Sequence, residues 1–213
     1  MLVLPGIVIC VVGGIVAWRL ISDAERDEVA IGGEAGPQET APLCPWREPD
    51  ADLKAIFPSA NRTEKQIRIL SGLRPELTKQ LGRAPTAEEN TLDVYRIYDQ
   101  ETPLGSVLVR RVKGQNGAIE LVIGISTNGT VSGLRVQRSR EPENIAVAVE
   151  SPAWLGAFAG KTAESKCRLG EDLPDVVAEA RGSAEAIGDG VRDSLILLSV
   201  SQELKGVPIA KHH

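Results

Sequence analysis

The side chains that most often carry out chemistry are scarce in this chain of 213 residues. Its two histidines are the last two residues, His212 and His213, which are assigned no role; this composition excludes histidine general-base catalysis and buried histidine metal sites. Cys10, Cys44 and Cys167 lie too far apart for a CxxC redox or zinc motif. In an oxidising compartment Cys44 and Cys167 could pair; otherwise they are two isolated thiols. No hydroxyl or thiol stands in a pattern that supplies a neighbouring base, so hydrolysis and group transfer are not expected. Aromatic residues make up 3% and the net charge is -5, which removes both the stacking platforms and the cationic surface of a nucleic-acid partner.

The elements that must position any chemistry come in three parts. Hydrophobic residues are 42% and charged residues 25%, the balance of one globular domain with an added anchor or arm. Residues 1–18, MLVLPGIVICVVGGIVAW, contain no charged side chain, and Leu20 and Ile21 extend the run past Arg19. About 20 such residues form a helix that crosses the hydrocarbon layer. Residues 1–21 are therefore read as a transmembrane anchor whose partner is the lipid bilayer. A cleaved signal peptide would want a basic region before the run and a small-x-small site after it, and neither is present. Arg19 and Arg26 follow the span, a charge count that points to a cytoplasmic body. Residues 22–49 mix acidic residues with Gly, Ala and Pro, without apolar period, and read as an extended tether. Residues 50–213 are the soluble domain.

Within the domain, DADLKAIFP reads as a short helix stopped by Pro58, TEKQIRILSGL as strand or helix, and RPELTKQLG as a helix ending at Gly82. Four β stretches follow, at 91–99, 104–114, 118–126 and 130–138. Asn116-Gly117 and Asn128-Gly129 join the last three as tight hairpins, with both central residues expected at positive φ. Ser151-Pro152 caps and starts a short helix through Phe158, with Gly160 beyond its end. Residues 172–180 are expected to add a short helix, and 184–204 an amphipathic one carrying Ile187, Val191, Leu195 and Leu198 on one stripe. The fold class is α+β: an antiparallel sheet with flanking helices behind one transmembrane helix.

The run 116–161, NGAIELVIGISTNGTVSGLRVQRSREPENIAVAVESPAWLGAFAGK, resembles the core of the FMN-binding domain family. That family includes the flavin-bearing, membrane-anchored subunits of the Rnf and sodium-pumping NADH:quinone oxidoreductase complexes. The segment SPAWLGAFAGK carries the likeness almost verbatim, and the similarity extends over about residues 50–204. It implies an electron-transport role beside other subunits of a membrane complex, and an extracytoplasmic domain, against the charge count.

The resemblance also implies where flavin would sit, and there this sequence departs. Flavin-bearing members attach FMN through its phosphate to the threonine of an S-G-A-T motif at the start of the last helix. The matching stretch here is Gly182-Ser183-Ala184-Glu185, so Glu185 falls on the acceptor. A carboxylate cannot form that phosphoester, and its charge would repel the phosphate by about 1 to 4 kcal/mol at roughly 4 Å. Glu185 could instead cap the helix in place of the phosphate. The family's E-H-x-E-T-P-G loop is Arg138-Ser139-Arg140-Glu141-Pro142-Glu143 here, keeping one glutamate, Glu141. Glu141, Ser183, Ala184 and Glu185 are the cofactor positions so implied. No covalent cofactor is expected; FMN held non-covalently, with Arg135, Arg138 or Arg140 on its phosphate, is the alternative to an accessory subunit without flavin. For these arginines, and for Arg110, Arg111 and Lys113, the competing reading is the solvated face of a sheet.

Overall fold

The computed structural model describes residues 48–203. The anchor over 1–21 and nearly all of the tether lie outside the described residues; among the described ones no helix is long and apolar enough to cross a membrane.

Five antiparallel strands form one meander in the order β1 (Arg62–Ile69), β2 (Thr91–Asp99), β3 (Thr102–Lys113), β4 (Ala118–Ser126) and β5 (Val131–Ser139). The four expected strands are present, and TEKQIRI resolves as the fifth, paired to β2 from Arg62↔Tyr98 to Ile69↔Thr91. The hairpins differ from the expectation in their turns. Asn116, Gly117 and Asn128 all keep negative φ, and only Gly129 enters the left-handed region, at 84°. The Gly129 N–H donates to the Ser126 carbonyl at 3.0 Å, the geometry of a type I turn followed by a left-handed glycine.

Alternation along the strands sends apolar side chains to both faces. On one face Leu108, Ile119, Leu121, Ile123 and Leu134 pack against α5 (Arg181–Glu203), which contributes Ala184, Ile187, Val191, Leu195 and Leu198. Gly190 lets α5 lie close to the sheet, since a Cβ there would stand 2.3 Å from a methyl of Val112. Leu77 and Leu81 of α2 (Arg74–Leu81) meet Leu197 and Val200 of α5 beside the strands. Gly82 ends α2 at φ 74°. On the opposite face, Leu53 of α1 (Asp50–Ile56) and Phe57 cover Tyr95, Ile97, Val107 and Val122.

Two short helices close the far end of the core. α3 (Glu143–Val149), absent from the sequence reading, buries Ile145 and Val149. α4 (Pro152–Gly156) starts at Ser151, whose hydroxyl accepts from the Trp154 N–H at 3.3 Å. Trp154 then stands edge-on to Phe158 with ring centres 5.2 Å apart and donates its indole N–H to the Pro174 carbonyl at 3.2 Å. The expected helix over 172–180 is replaced by a loop with a single 3-10 turn at Ala178–Ala180. Its first residue is the cause. The Asp172 carboxylate accepts the N–H groups of Cys167 and Arg168 at 3.0 and 2.8 Å, tying the chain back on itself.

Candidate functional site

Three segments that are remote in sequence meet at the first turn of α5: the β3–β4 turn at residues 114–117, the β5–α3 loop holding Glu141, and Ser183. The Ser183 hydroxyl is fully buried, accepts from the Gln115 N–H at 3.0 Å and donates to Glu141 Oε1 at 2.9 Å. Gln115 Oε1 in turn accepts from the Ser183 N–H at 3.2 Å. Glu141 also accepts from Asn116, at 3.1 Å from its N–H and 2.8 Å from its side-chain amide. Burial pushes the Glu141 carboxyl up, but the Asn116 and Ser183 donors outweigh it and hold the group below its ordinary range. The turn backbone is pressed onto this carboxylate, for a Cβ on Gly114 would lie 2.0 Å from Glu141 Oε1.

Of the four cofactor positions implied by the sequence, two come together here and two do not. Glu141 and Ser183 bond directly. Ala184 is fully buried in the main core. Glu185 points away from the cluster and accepts from Arg181 Nε at 3.0 Å, with both side chains about half exposed. Because α5 begins at Arg181, Glu185 lies in its second turn and pairs along the helix flank, not over its free N–H groups, which corrects the capping reading.

Arg110, Arg111, Arg135 and Arg138 are likewise engaged elsewhere. Arg138 binds Glu120 through Nε at 2.8 Å and Nη2 at 2.7 Å, and Arg111 binds the same carboxylate from the other neighbouring strand. Arg135 pairs with Asp52 of α1 at 2.7 Å. Arg110 reaches Glu89 at 2.6 Å on the α5 side of the sheet. For Arg110, Arg111 and Arg138, then, the solvated-face reading gives way to pairing with buried carboxylates. A signal was available: Glu120 is the sole charge in the strand AIELVIGIS, and arginines occupy both flanking strands.

Sequence reasoning missed the larger charge cluster altogether. The Glu89 side chain is wholly buried where the loop after α2 meets β3, and it accepts from Arg83 at 2.9 and 2.8 Å, from Arg110, and from the Thr86 N–H at 2.8 Å. Arg83 also pairs with Asp193 of α5. Burial acts to raise the Glu89 pKa, yet Arg83, the Thr86 N–H and Arg110 together hold it far below the usual carboxylate range.

Cys167 is buried, and burial pushes its thiol up to about 11, which makes it inert as a nucleophile. Cys44 lies outside the described residues, and so does the pairing considered for it. An open cleft of about 720 Å³ runs between the end of α2, the 163–168 loop and α5, with Lys166, Arg168, Asp189 and Arg192 on its walls. Its charges are mixed.

No protein-family model matches the sequence. Over 82 residues the chain is 30% identical to the G subunit of the ion-translocating oxidoreductase complex of Salmonella typhimurium, a match covering 37% of this chain and 40% of that protein. The protein of the same name from Salmonella typhi is 29% identical over a stretch of equal length. The chain thus spans about two fifths of the length of the curated relatives it matches. The crystal structure of Shewanella oneidensis NqrC superposes with a TM-score of 0.51 at 14% identity, over 74% of this chain and 88% of that one, a likeness of fold: α+β, with an antiparallel sheet and flanking helices.

Proposed function

We propose that this chain is an accessory subunit of a membrane redox complex, anchored by residues 1–21, with the FMN-binding type of domain but without covalently held flavin. The partial likeness to an ion-translocating oxidoreductase component and the NqrC-like fold support the assembly. The observation that carries the loss of flavin is the closed cluster at the start of α5. Among residues 182–194 only Ser183 and Ser194 bear hydroxyls, and both are buried and bonded: Ser183 to Glu141, and Ser194 to the Gly190 carbonyl at 2.7 Å. The position matching the family's acceptor carries Glu185. These residues do not fit a phosphoester to FMN, and the chain's own carboxylate Glu141 takes the donors that a phosphate would need. Of Arg135, Arg138 and Arg140, offered as partners for a non-covalent phosphate, the first two are held by Asp52 and Glu120, which weighs against the electron-carrier alternative.

The test is the mass of the denatured chain together with its in-gel fluorescence under ultraviolet light. The sequence mass and a dark band are expected. An FMN adduct on Ser183 or Ser194 overturns the reading and makes the chain an electron carrier; a flavin spectrum that stays with the folded chain and is lost on denaturation does the same for non-covalent FMN. For the anchor, deletion of residues 1–21 should release the chain from membranes, and an amino terminus found processed near Ser22 would defeat it. The resemblance to the family favours an extracytoplasmic domain. A Gly33→Cys variant should then react with a membrane-impermeant thiol reagent on intact cells, and labelling only after lysis reverses the topology.

A further inference from the structure

Among the described residues four large apolar side chains stay exposed, and two of them, Ile67 at 64% and Ile69 at 70%, sit on β1, an outer strand of the sheet. The phase of the ladder shows what else that edge presents. The Leu70 N–H donates to the Asn90 carbonyl at 2.7 Å, so the even-numbered residues of β1 exchange their backbone bonds with β2. The N–H and C=O groups of Thr63, Lys65, Ile67 and Ile69 therefore point outward, and among the described residues no other strand pairs with them.

The charges of β1 do not close this edge. Lys65 is drawn back over the sheet, 3.0 Å from Asp93 and over the Tyr95 ring. Arg68 is half buried and held by neutral groups, the Ser201 hydroxyl at 2.8 Å and its carbonyl at 3.1 Å. Burial and the like charge of Arg96 push its guanidinium below the ordinary value, and among the described residues no carboxylate pairs with it. Glu64 lies on the same face of the strand. Its ion pair is with Arg62, which also reaches Glu101 at 3.5 Å.

We propose that β1 pairs with β1 of a second copy of this chain, antiparallel and centred on Gln66, joining two five-stranded sheets into one. The charges choose the register. With Gln66 on the two-fold axis the run 63–69 overlaps in full, and each Arg68 stands directly opposite Glu64 of the other copy, at the range where facing side chains pair. Centring on Ile67 instead would set Arg68 opposite Gln66, and centring on Lys65 would set it opposite Arg62. On the other face Ile69 meets Thr63 and Ile67 meets Lys65, with the two Ile67 side chains diagonal neighbours across the axis, so the exposed apolar surface leaves water. The missing carboxylate, the apolar cover and the matching strand length all come from β1 itself, which is why the occupant is a second copy. This surface is separate from the cluster at the start of α5 and does not depend on whether flavin is bound.

The test uses the full chain in its native membranes with Cys10→Ser and Cys44→Ser, the buried Cys167 being kept. Gln66→Cys then lies on the axis, at the Cα spacing of about 4.5 Å of a non-hydrogen-bonded pair, which a disulfide spans. Mild oxidation should give a product of twice the chain mass. Thr63→Cys, about 20 Å from its own counterpart, should give less than about a tenth as much. Arg68→Glu, which would face a carboxylate, should lower the Gln66→Cys crosslink at least about tenfold, and adding Glu64→Arg should restore it, a rescue that a misfolded chain would not show. No crosslink at Gln66→Cys, equal crosslinking at Thr63→Cys, a product containing a different polypeptide, or no rescue in the doubly exchanged chain overturns the proposal. Each of these failures leaves the proposed function and its flavin test standing.

Discussion

Two carboxylates tied to α5, Glu89 through Arg83 and Asp193 and Glu141 through Ser183, are held in opposite ways. Glu89 is surrounded by charge, with two arginines on it and Asp193 balancing Arg83. Glu141 is held by neutral donors, the Asn116 backbone and amide and the Ser183 hydroxyl. A buried carboxylate between cations is an arrangement in which each partner depends on the others, because removing one leaves the rest without their counter-charge, most severely the less exposed Arg110. A carboxylate among neutral donors is a matter of shape: its bonds fix a turn against a helix, and their loss costs hydrogen bonds alone. The first therefore acts as a charged centre that ties several elements together, and the second as a neutral fastening of one turn to a helix.

The largest expected effect tests the charged side. Glu89→Gln keeps the volume but leaves Arg83 and Arg110 facing a neutral amide, and should cost about 3 to 5 kcal/mol in urea unfolding. Glu141→Gln should cost less than half as much. If the two are equal, the distinction between them is lost.

Acid sharpens the same contrast. Both carboxyls are lowered in the fold from an ordinary value of 4.5, Glu89 much further than Glu141. A depressed folded pKa means that the stability is fully present above the unfolded value and is lost as the pH falls toward the folded one. Unfolding free energy should therefore decline below about pH 4.5, and Glu89→Gln should flatten that decline more than Glu141→Gln does, as followed by tryptophan fluorescence during acid titration.

How legible these two sites were in the sequence differs for a physical reason. Backbone signals read in part: Gly82 and Gly129 adopt positive φ and Ser151-Pro152 starts a helix, whereas Asn116, Gly117 and Asn128 keep negative φ because those hairpins do not use the mirror-image two-residue turn. Glu141 and Ser183 were reached through motif position, although their bond was not. The Glu89 cluster draws on α2's end, the loop after it, β3 and α5, so no spacing betrays it. α3 was missed because ENIAVAV is too short to show a helical period, and β1 stayed ambiguous because its exposed positions include Ile67 and Ile69.

On the neutral side, Gly114→Ala should act through shape. The new Cβ would collide with Glu141 Oε1 at 2.0 Å and with Ile119 Cδ1 at 2.8 Å, so the carboxylate must leave its donors. A cost of about 1 to 3 kcal/mol is expected. Ser183→Ala removes one hydroxyl from the same cluster, leaving the Gln115 N–H and one lone pair of Glu141 unmatched, for about 1 to 2 kcal/mol. Combined with Gly114→Ala it should be less than additive, since the first substitution already breaks the bond that the second removes.

The smallest effect falls on Glu185, and it separates a residue that holds the fold from one that only occupies a motif position. Glu185 meets Arg181 at 3.0 Å across one helical turn, with side chains 53% and 55% exposed. Exposed pairs at this spacing contribute about 0.3 to 0.5 kcal/mol. Glu185→Ala should therefore shift the unfolding free energy by no more than about 0.5 kcal/mol, with alanine's helix propensity offsetting part of that. A helix cap would cost about 1 kcal/mol. Glu185→Thr restores a hydroxyl at the family's acceptor position, yet Ser183 and Glu141 remain bonded beside it, so no FMN adduct should appear in the mass of the denatured variant. An adduct there would mean that the single carboxylate, and not the closed cluster, keeps flavin off this chain.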